Sequence, residues 1–169
     1  MQNPVLEAIY RRRSVRSFRP EEVSWEDLRE IVRAGIWAPS GLNNQPWRFV
    51  LVRDRAIREL LAAQTIYKKV VLAAPALIVV FLDRDVMYND LKDHQAAGAC
   101  IQNMLLAAEA VGLGAVWLGQ ILKNEGEVRR ILALDDKLSL MAVIALGCPT
   151  PTERQAKRRP LEDFILKTF

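Results

Sequence analysis

The sequence predicts a layered α+β domain, because helical and strand patterns are mixed along its 169 residues without a strict β–α–β alternation. The clearest strand is the continuous apolar run at residues 76–82, which is typical of a strand buried on both faces. A second strong strand covers residues 138–146. The longest helix is expected from Asp93 to Val111, with Gly112 as its C-terminal stop. The length fits one domain over residues 1–169.

The remaining elements follow from local signals taken in chain order. Ser24 with Asp27 three residues later predicts the start of a helix that ends before Pro39. The long helix has little polar face, so we expect it to be buried, in part against a second subunit. The other expected elements are a helix around residues 5–9, an extended segment at 14–19, a loop at 39–47, strands at 48–53 and 115–118, a helix capped by Asp54, a short helix at 67–74 and a helix opened by Asn124 and Glu127.

Composition and motifs exclude several classes of protein. Two cysteines and one histidine are too few for a disulfide scaffold or a convincing structural zinc site, so we expect no metal. The chain has no Walker A motif and no G-x-S-x-G motif. The start of the chain lacks the apolar region of a signal peptide and no stretch is long enough for a membrane span, so a cytoplasmic protein without membrane contact is expected.

Positive charge is the informative part of the composition. The net charge is +4, which favours an anionic ligand or a polyanion. The basic residues cluster at residues 11–16 and 157–159, near the two ends of the chain. No recognisable nucleic-acid module accompanies them, so we expect no nucleic-acid partner.

Four segments carry a resemblance to a known family. They are RRRSVRSF at 11–18, APSGLNNQPW at 38–47, VGLGAVWLG at 111–119 and AKRRPLEDF at 156–164. In this order and at these spacings they resemble the signatures of the nitroreductase family, over nearly the whole chain. The resemblance implies a three-layer α/β/α sandwich with a mostly antiparallel central sheet, an intertwined homodimer and bound FMN.

The basic segments suit the phosphate of FMN, which carries about two negative charges and favours arginine or lysine partners. Side chains two apart in an extended segment point to one face, so residues 12, 14 and 16 are expected to converge on one ligand. The resemblance implies that Arg12, Ser14 and Arg16 contact the phosphate, ribityl chain and pyrimidine edge, with Arg13 assisting. It also implies that Lys157 and Arg159 form a second phosphate clamp.

The other two segments are expected at the flavin ring. The resemblance implies that Pro39, Ser40, Gly41 and Asn43 belong to a loop that reaches the flavin held mainly by the other subunit, with Gln45, Pro46 and Trp47 shaping that loop. It implies that the backbone of Leu118 and Gly119 lies against the ring. Trp47 and Trp117 fit core packing equally well. A further polar contact is expected from one of Gln64, Tyr67, Lys68 and Lys69, which the sequence does not separate.

The resemblance implies an FMN-dependent oxidoreductase in which NADH or NADPH reduces the flavin and a small nitroaromatic, quinone or similar acceptor then oxidises it. No dedicated catalytic side chain is expected, since the flavin carries the chemistry. Arg16 is expected to stabilise the negative charge that develops on the reduced ring. Two alternatives remain: another FMN enzyme of the same fold, dehalogenase-like or flavin-fragmenting, and a flavin-binding sensor without turnover. The chain is short for the family, so the site is expected to be open or covered by Tyr88 and its neighbours.

Overall fold

The computed structural model describes residues 3–151 and 156–169. The helices are α1 (Pro4–Arg11), α2 (Trp25–Ile36), α3 (Arg55–Ala62), α4 (Lys68–Ala73), α5 (Asp90–Ala110) and α6 (Glu125–Ile131). The strands are β1 (Trp47–Val52), β2 (Ala76–Asp83), β3 (Gly114–Leu118) and β4 (Leu138–Gly147). Short 3₁₀ turns cover Gly41–Asn43, Gln120–Asn124 and Leu161–Asp163.

The four strands form one sheet in the order β1-β2-β4-β3, with every neighbouring pair antiparallel. All eight residues of β2 are buried, as the apolar run predicted for a central strand. Its register places Val79 opposite Val50 of β1 and Val143 of β4. The sheet therefore has two edges, β1 and β3, which lie on either side of the central pair.

Helices cover both faces of this sheet. On one face, α2 and α5 pack against β2 residues such as Ile78 and Val80. On the other face, α3, α4 and α6 pack against the alternate β2 residues, including Val79 and Phe81. This alternation follows from the two-residue repeat of a strand. The predicted α+β class and the three-layer sandwich around an antiparallel sheet are confirmed.

Several helix ends lie where local sequence signals placed them. The Ser24 hydroxyl accepts a hydrogen bond from the Asp27 backbone N–H at 2.9 Å, which satisfies one of the first amides of α2. Asp54 does the same for Ile57 at the start of α3. Gly112 follows α5 with φ of 80°, a conformation that favours glycine.

One predicted helix start is wrong, and another is correct but lacks its expected side-chain cap. Helix α5 begins at Asp90 rather than Asp93, because the Asn89 side chain accepts a hydrogen bond from Lys92 N at 3.0 Å and caps the helix earlier. Asn124 does not cap α6, since its Nδ2 donates to the carbonyl of Gln64 at 2.8 Å and the chain enters the helix through a 3₁₀ turn.

Helix α5 is buried on one side only in this single chain. Eight of its 21 residues are buried, and they face α2 and the sheet. Leu91 on the remaining surface is exposed, and Ala99 is half-buried. Within residues 3–151 and 156–169, no helix combines the length and the apolar character that a membrane span requires.

Candidate functional site

The segment that follows α1 runs along the β3 edge of the sheet. Ser14 forms a parallel bridge with Ala115 of β3, and the Val15 N–H donates to the Ala115 carbonyl at 3.0 Å. Val15 lies over Gly114, where an added Cβ would come within 2.7 Å of the valine side chain. Further along, Phe18 bridges Pro149 just after β4. The small residue at 114 thus lets the basic segment approach the sheet and fixes its position.

The arginines of this segment differ in their partners. Arg11 pairs with Glu109 in the last turn of α5 at 2.8 Å. Arg13 donates to backbone carbonyls of residues 10 and 12. Arg12 and Arg16 make no ion pair with any carboxylate of residues 3–151 or 156–169, although Arg16 donates to the Ser14 carbonyl at 3.4 Å. Two guanidinium groups therefore remain available for an anionic ligand at the β3 edge.

The end of β3 opens onto unfilled space. Leu118 is buried, whereas a Cβ atom added to Gly119 would meet no atom within 4 Å. Immediately after it, the Gln120 Oε1 accepts from the Thr65 hydroxyl at 2.7 Å and from the Ile66 N–H at 3.0 Å. The end of β3 is therefore held against the segment between α3 and α4.

Four residues in and beside that segment were predicted as candidates for a further polar contact to the flavin. Tyr67, Lys68 and Lys69 follow the residues that contact Gln120, and all three are exposed. The Gln64 carbonyl accepts a hydrogen bond from the Asn124 side chain. Thr65 and Gln120, which fix the segment, were not singled out from the sequence. No sequence signal marks them, because they are 55 residues apart and only the fold brings them together.

The loop after α2 is shaped by its own polar groups. Leu42, Asn43 and Gln45 have φ values of 53°, 55° and 46°. Non-glycine residues rarely adopt this conformation, and such strain concentrates at functional sites. The Ser40 hydroxyl accepts from the Gln45 N–H, and the Gln45 side chain donates to the Asn43 carbonyl, both at 3.1 Å. Gln45 thus holds the loop together, and Trp47 after it is buried in the core.

A buried carboxylate fixes the same loop to α5. Asp93 is fully buried and accepts from Asn44 Nδ2 at 2.7 Å and from the backbone N–H groups of Tyr88 and Asn89, each at 2.9 Å. Burial alone would raise the pKa of this carboxyl, but these hydrogen bonds outweigh burial and lower its pKa below the ordinary value. No local signal in the sequence marks Asn44 or Asp93 for this role.

Tyr88 lies directly on the loop. A Cβ atom on Gly41 would come within 2.0 Å of the Tyr88 hydroxyl, so only glycine leaves room for the ring in this position. A cleft of about 330 Å³ remains beside them, between the loop and α5. Tyr88 therefore covers part of the loop.

The C-terminal basic segment stands apart from the others. Lys157 and Arg159 are exposed, as are all residues from 156 to 169. The Arg159 guanidinium lies 4.6 Å from the centroid of the Phe164 ring, a contact within the segment itself. The structure therefore does not show these two residues in contact with Arg12 or Arg16.

Comparison with known proteins identifies the family. The model of the Nitroreductase family matches residues 9–148. The chain belongs to the nitroreductase family. The family predicted from the four sequence segments is therefore confirmed.

Individual relatives agree with this nitroreductase assignment. A protein of Archaeoglobus fulgidus named as an NADH dehydrogenase/NAD(P)H nitroreductase is 35% identical over 147 residues, covering 85% of this chain and 84% of its own. A crystal structure described as a nitroreductase in complex with FMN, from Desulfovibrio desulfuricans, is 52% identical with a TM-score of 0.95, covering 99% of this chain and 98% of that one. The NADPH:FMN oxidoreductase of Vibrio harveyi, complexed with NAD⁺, is 26% identical with a TM-score of 0.89, covering 98% and 77%.

The residues of this nitroreductase chain fit the flavin mononucleotide that the family implies. Arg12 and Arg16 supply guanidinium groups without carboxylate partners among the described residues, which is the donor chemistry that a phosphate requires. The open space beside Gly119 lies on the same β3 edge as these arginines, so it offers room for a ring along that edge. No group of three or more metal-ligating side chains occurs within the described part of the chain.

Apart from Lys157 and Arg159, the predicted site residues fall into two sets at opposite edges of the sheet. Segment 12–16 and residues 118–119 lie along β3, while the loop at 39–45 precedes β1. The two edge strands of this four-stranded sheet are three strand spacings apart, which is roughly 14 Å, since neighbouring strands lie about 4.8 Å apart. The loop also contacts α5 at Asp93 in its first turn, whereas Arg11 contacts Glu109 in its last turn, about 24 Å away along the helix. One chain therefore does not bring the two sets together.

Proposed function

We propose that this nitroreductase-family protein is an FMN-dependent NAD(P)H oxidoreductase that reduces small acceptors such as nitroaromatics and quinones. Residues 1–169 form its single FMN-binding domain, and two copies form the functional homodimer. The observation that carries the proposal is the pair of guanidinium groups at Arg12 and Arg16, which lack carboxylate partners among the described residues and lie on a segment fixed to the β3 edge. The relatives named for NAD(P)H-dependent and FMN-dependent reduction support it.

In this proposal the β3 edge binds the cofactor. Arg12 and Ser14 contact the phosphate and ribityl chain, Arg13 assists, and Arg16 lies at the pyrimidine edge. Arg16 supplies a cation where negative charge develops, so it stabilises the reduced state more than the oxidised one. Leu118 and Gly119 offer backbone to the ring face. When bound, FMN supplies the redox chemistry by accepting hydride from NADH or NADPH and passing electrons to the acceptor.

The second subunit supplies the loop that one chain leaves at the far edge. Pro39, Ser40, Gly41 and Asn43 would reach the flavin bound mainly by the partner subunit, with Gln45 holding the loop in shape. Exposed apolar side chains favour such an interface: Trp37 is 81% exposed and Leu42 is 85% exposed, both in or beside this loop. The unburied side of α5 offers a further surface for the second copy.

The C-terminal segment completes the phosphate site in the proposal. Lys157 and Arg159 are exposed cations, and the residues that follow them include apolar side chains such as Leu166, which is 94% exposed. Apolar side chains with this exposure favour packing against a second copy. In the dimer the two cations would form the clamp for the FMN phosphate.

The proposal is tested first by cofactor content and affinity. The purified protein should be yellow and release FMN on denaturation. Removing one charged contact to the cofactor, at the phosphate for Arg12 and at the pyrimidine edge for Arg16, removes roughly 1.5–3 kcal/mol of binding free energy, so Arg12→Ala and Arg16→Ala should each weaken FMN binding about 10- to 100-fold. Arg11→Ala is the matched control, because Arg11 is an adjacent arginine already paired with Glu109. Equal affinity in all three variants would contradict the placement of the cofactor along the β3 edge.

Turnover tests the reaction class. Under argon, NADH or NADPH should bleach the flavin absorbance, and a nitroaromatic or quinone should restore it. The two donors are compared at equal concentration to establish the preference that the sequence left open. A protein that binds FMN but restores the absorbance with none of the acceptors would contradict the reductase proposal and favour a sensor or another FMN reaction.

A further inference from the structure

The cleft between the loop and α5 has a defined chemistry. Its floor is made by small side chains, its wall by an aromatic ring and the loop, and its exposed rim by polar side chains. Ala96 and Ala99 form the floor, and Tyr88 with residues 39–41 forms the wall. Lys92 and Gln95 lie at the rim. Its volume of about 330 Å³ lies at the lower end of small-molecule pockets. The cleft is therefore the size of a single-ring ligand rather than of a dinucleotide.

Lys92 is the cation at this rim. Its Nζ lies 5.5 Å from the centroid of the Tyr88 ring, and it makes no ion pair with any carboxylate in the described ranges. The acids closest to it in sequence have other partners: Asp93 accepts three N–H groups, and Asp90 lies 3.5 Å from His94 Nδ1. The positive charge beside the aromatic wall is thus not neutralised by the chain itself.

We propose that this cleft selects aromatic electron acceptors that carry a negative charge, and that Lys92 recognises that charge. The tyrosine ring and alanine floor favour a planar aromatic body. The ammonium group pairs with a carboxylate on that body, since a lysine side chain reaches its partner on a flexible stem. The inference rests on the proposed function, which places the loop at 39–43 beside the flavin of the partner subunit.

A pair of probes of matched shape tests this specificity. Calorimetry would measure the binding of para-nitrobenzoate and of the neutral para-nitrobenzamide to the holoprotein. We expect the carboxylate to bind about five-fold more tightly than the amide, the upper range for an exposed ion pair. Lys92→Gln should bring this ratio to about one, and Lys92→Glu should invert it. The ratio of kcat/KM for the two acceptors should follow the same order.

Arg29→Gln serves as the control, because it removes one exposed positive charge from α2 that does not line the cleft, and it should leave the ratio unchanged. Equal affinities of the two probes for the wild-type protein, or an unchanged ratio in Lys92→Gln, would overturn the inference. So would a Lys92→Gln variant whose main defect is a raised KM for NADPH, since Lys92 would then bind the donor. If the wild-type protein bound no FMN, the proposed function would fail, and the same calorimetric ratio measured on the cofactor-free protein would still decide whether Lys92 recognises the charge.

Discussion

The buried carboxylate of Asp93 should govern both the stability of the loop and its dependence on pH. Asp93→Ala removes the acceptor of three hydrogen bonds, from Asn44 Nδ2 and from two backbone N–H groups. Each donor left without an acceptor costs about 1 kcal/mol, at the lower end of the usual range because Tyr88 and Asn89 are exposed and Asn44 is half-buried, for a total loss of roughly 3 kcal/mol. For a chain of this length the loss corresponds to a fall in Tm of roughly 10 °C, measured by thermal unfolding at pH 7.

The sign of the pH effect follows from the lowered pKa of Asp93 in the folded protein. A lowered pKa contributes stability above the ordinary pKa of the unfolded chain, near 3.9, and this contribution is lost as the pH falls through the folded pKa. Asp93→Asn keeps the side-chain size but has no charge to lose. Urea unfolding of the wild type and of Asp93→Asn should therefore converge as the pH falls from about 5 to 3. A free-energy difference that stays constant over this range would refute the reasoning.

Three further predictions concern single contacts. Gly114→Ala should destabilise the protein by about 1–3 kcal/mol in urea unfolding and weaken FMN binding, because the added Cβ would lie 2.7 Å from Val15 beside the basic segment. Gly126→Ala is the control: its Cβ would meet open space in α6, so this variant should stabilise the protein by about 0.5 kcal/mol. Gln120→Ala should speed amide exchange at Ile66, because that N–H loses its acceptor, and unchanged protection would contradict the contact. Burial raises the pKa of Cys100 to about 12, so at pH 8 a thiol reagent should modify it only after unfolding; rapid reaction of this thiol in the native protein would contradict its burial.

The elements that the sequence predicted correctly are those decided by local physical chemistry. The fully apolar run at 76–82 forms a central strand, because such a run is stable where helices cover both faces of the sheet. Ser24 and Asp54 cap their helices through bonds to amides three residues ahead, a geometry encoded within four residues. The family signatures were equally local, since they are read as short stretches in order.

The parts that the sequence did not reveal depend on contacts between distant residues. Asn44 and Asp93 are 49 residues apart, and neither has a neighbour that marks it as half of a buried hydrogen-bonded pair. Asn124 carries the signal of a helix cap, but its side chain instead bonds to the Gln64 carbonyl, which the local sequence cannot anticipate. A tertiary partner thus overrides a local preference wherever it offers a better-placed acceptor.

The separation of the two residue sets leads to a prediction about assembly. The arginine segment lies along β3 and the loop lies before β1, so a single chain offers FMN only the β3 half of the proposed site. If the second copy supplies the loop, FMN binding and dimerisation are linked, and each must strengthen the other. Dilution of the holoprotein through the dimer dissociation range should then release FMN, followed by the recovery of free-flavin fluorescence and by sedimentation. Added FMN should shift the dissociation to lower protein concentration. Sedimentation that showed FMN held as tightly by the monomer as by the dimer would mean that the β3 edge alone forms the site, with the loop serving another purpose.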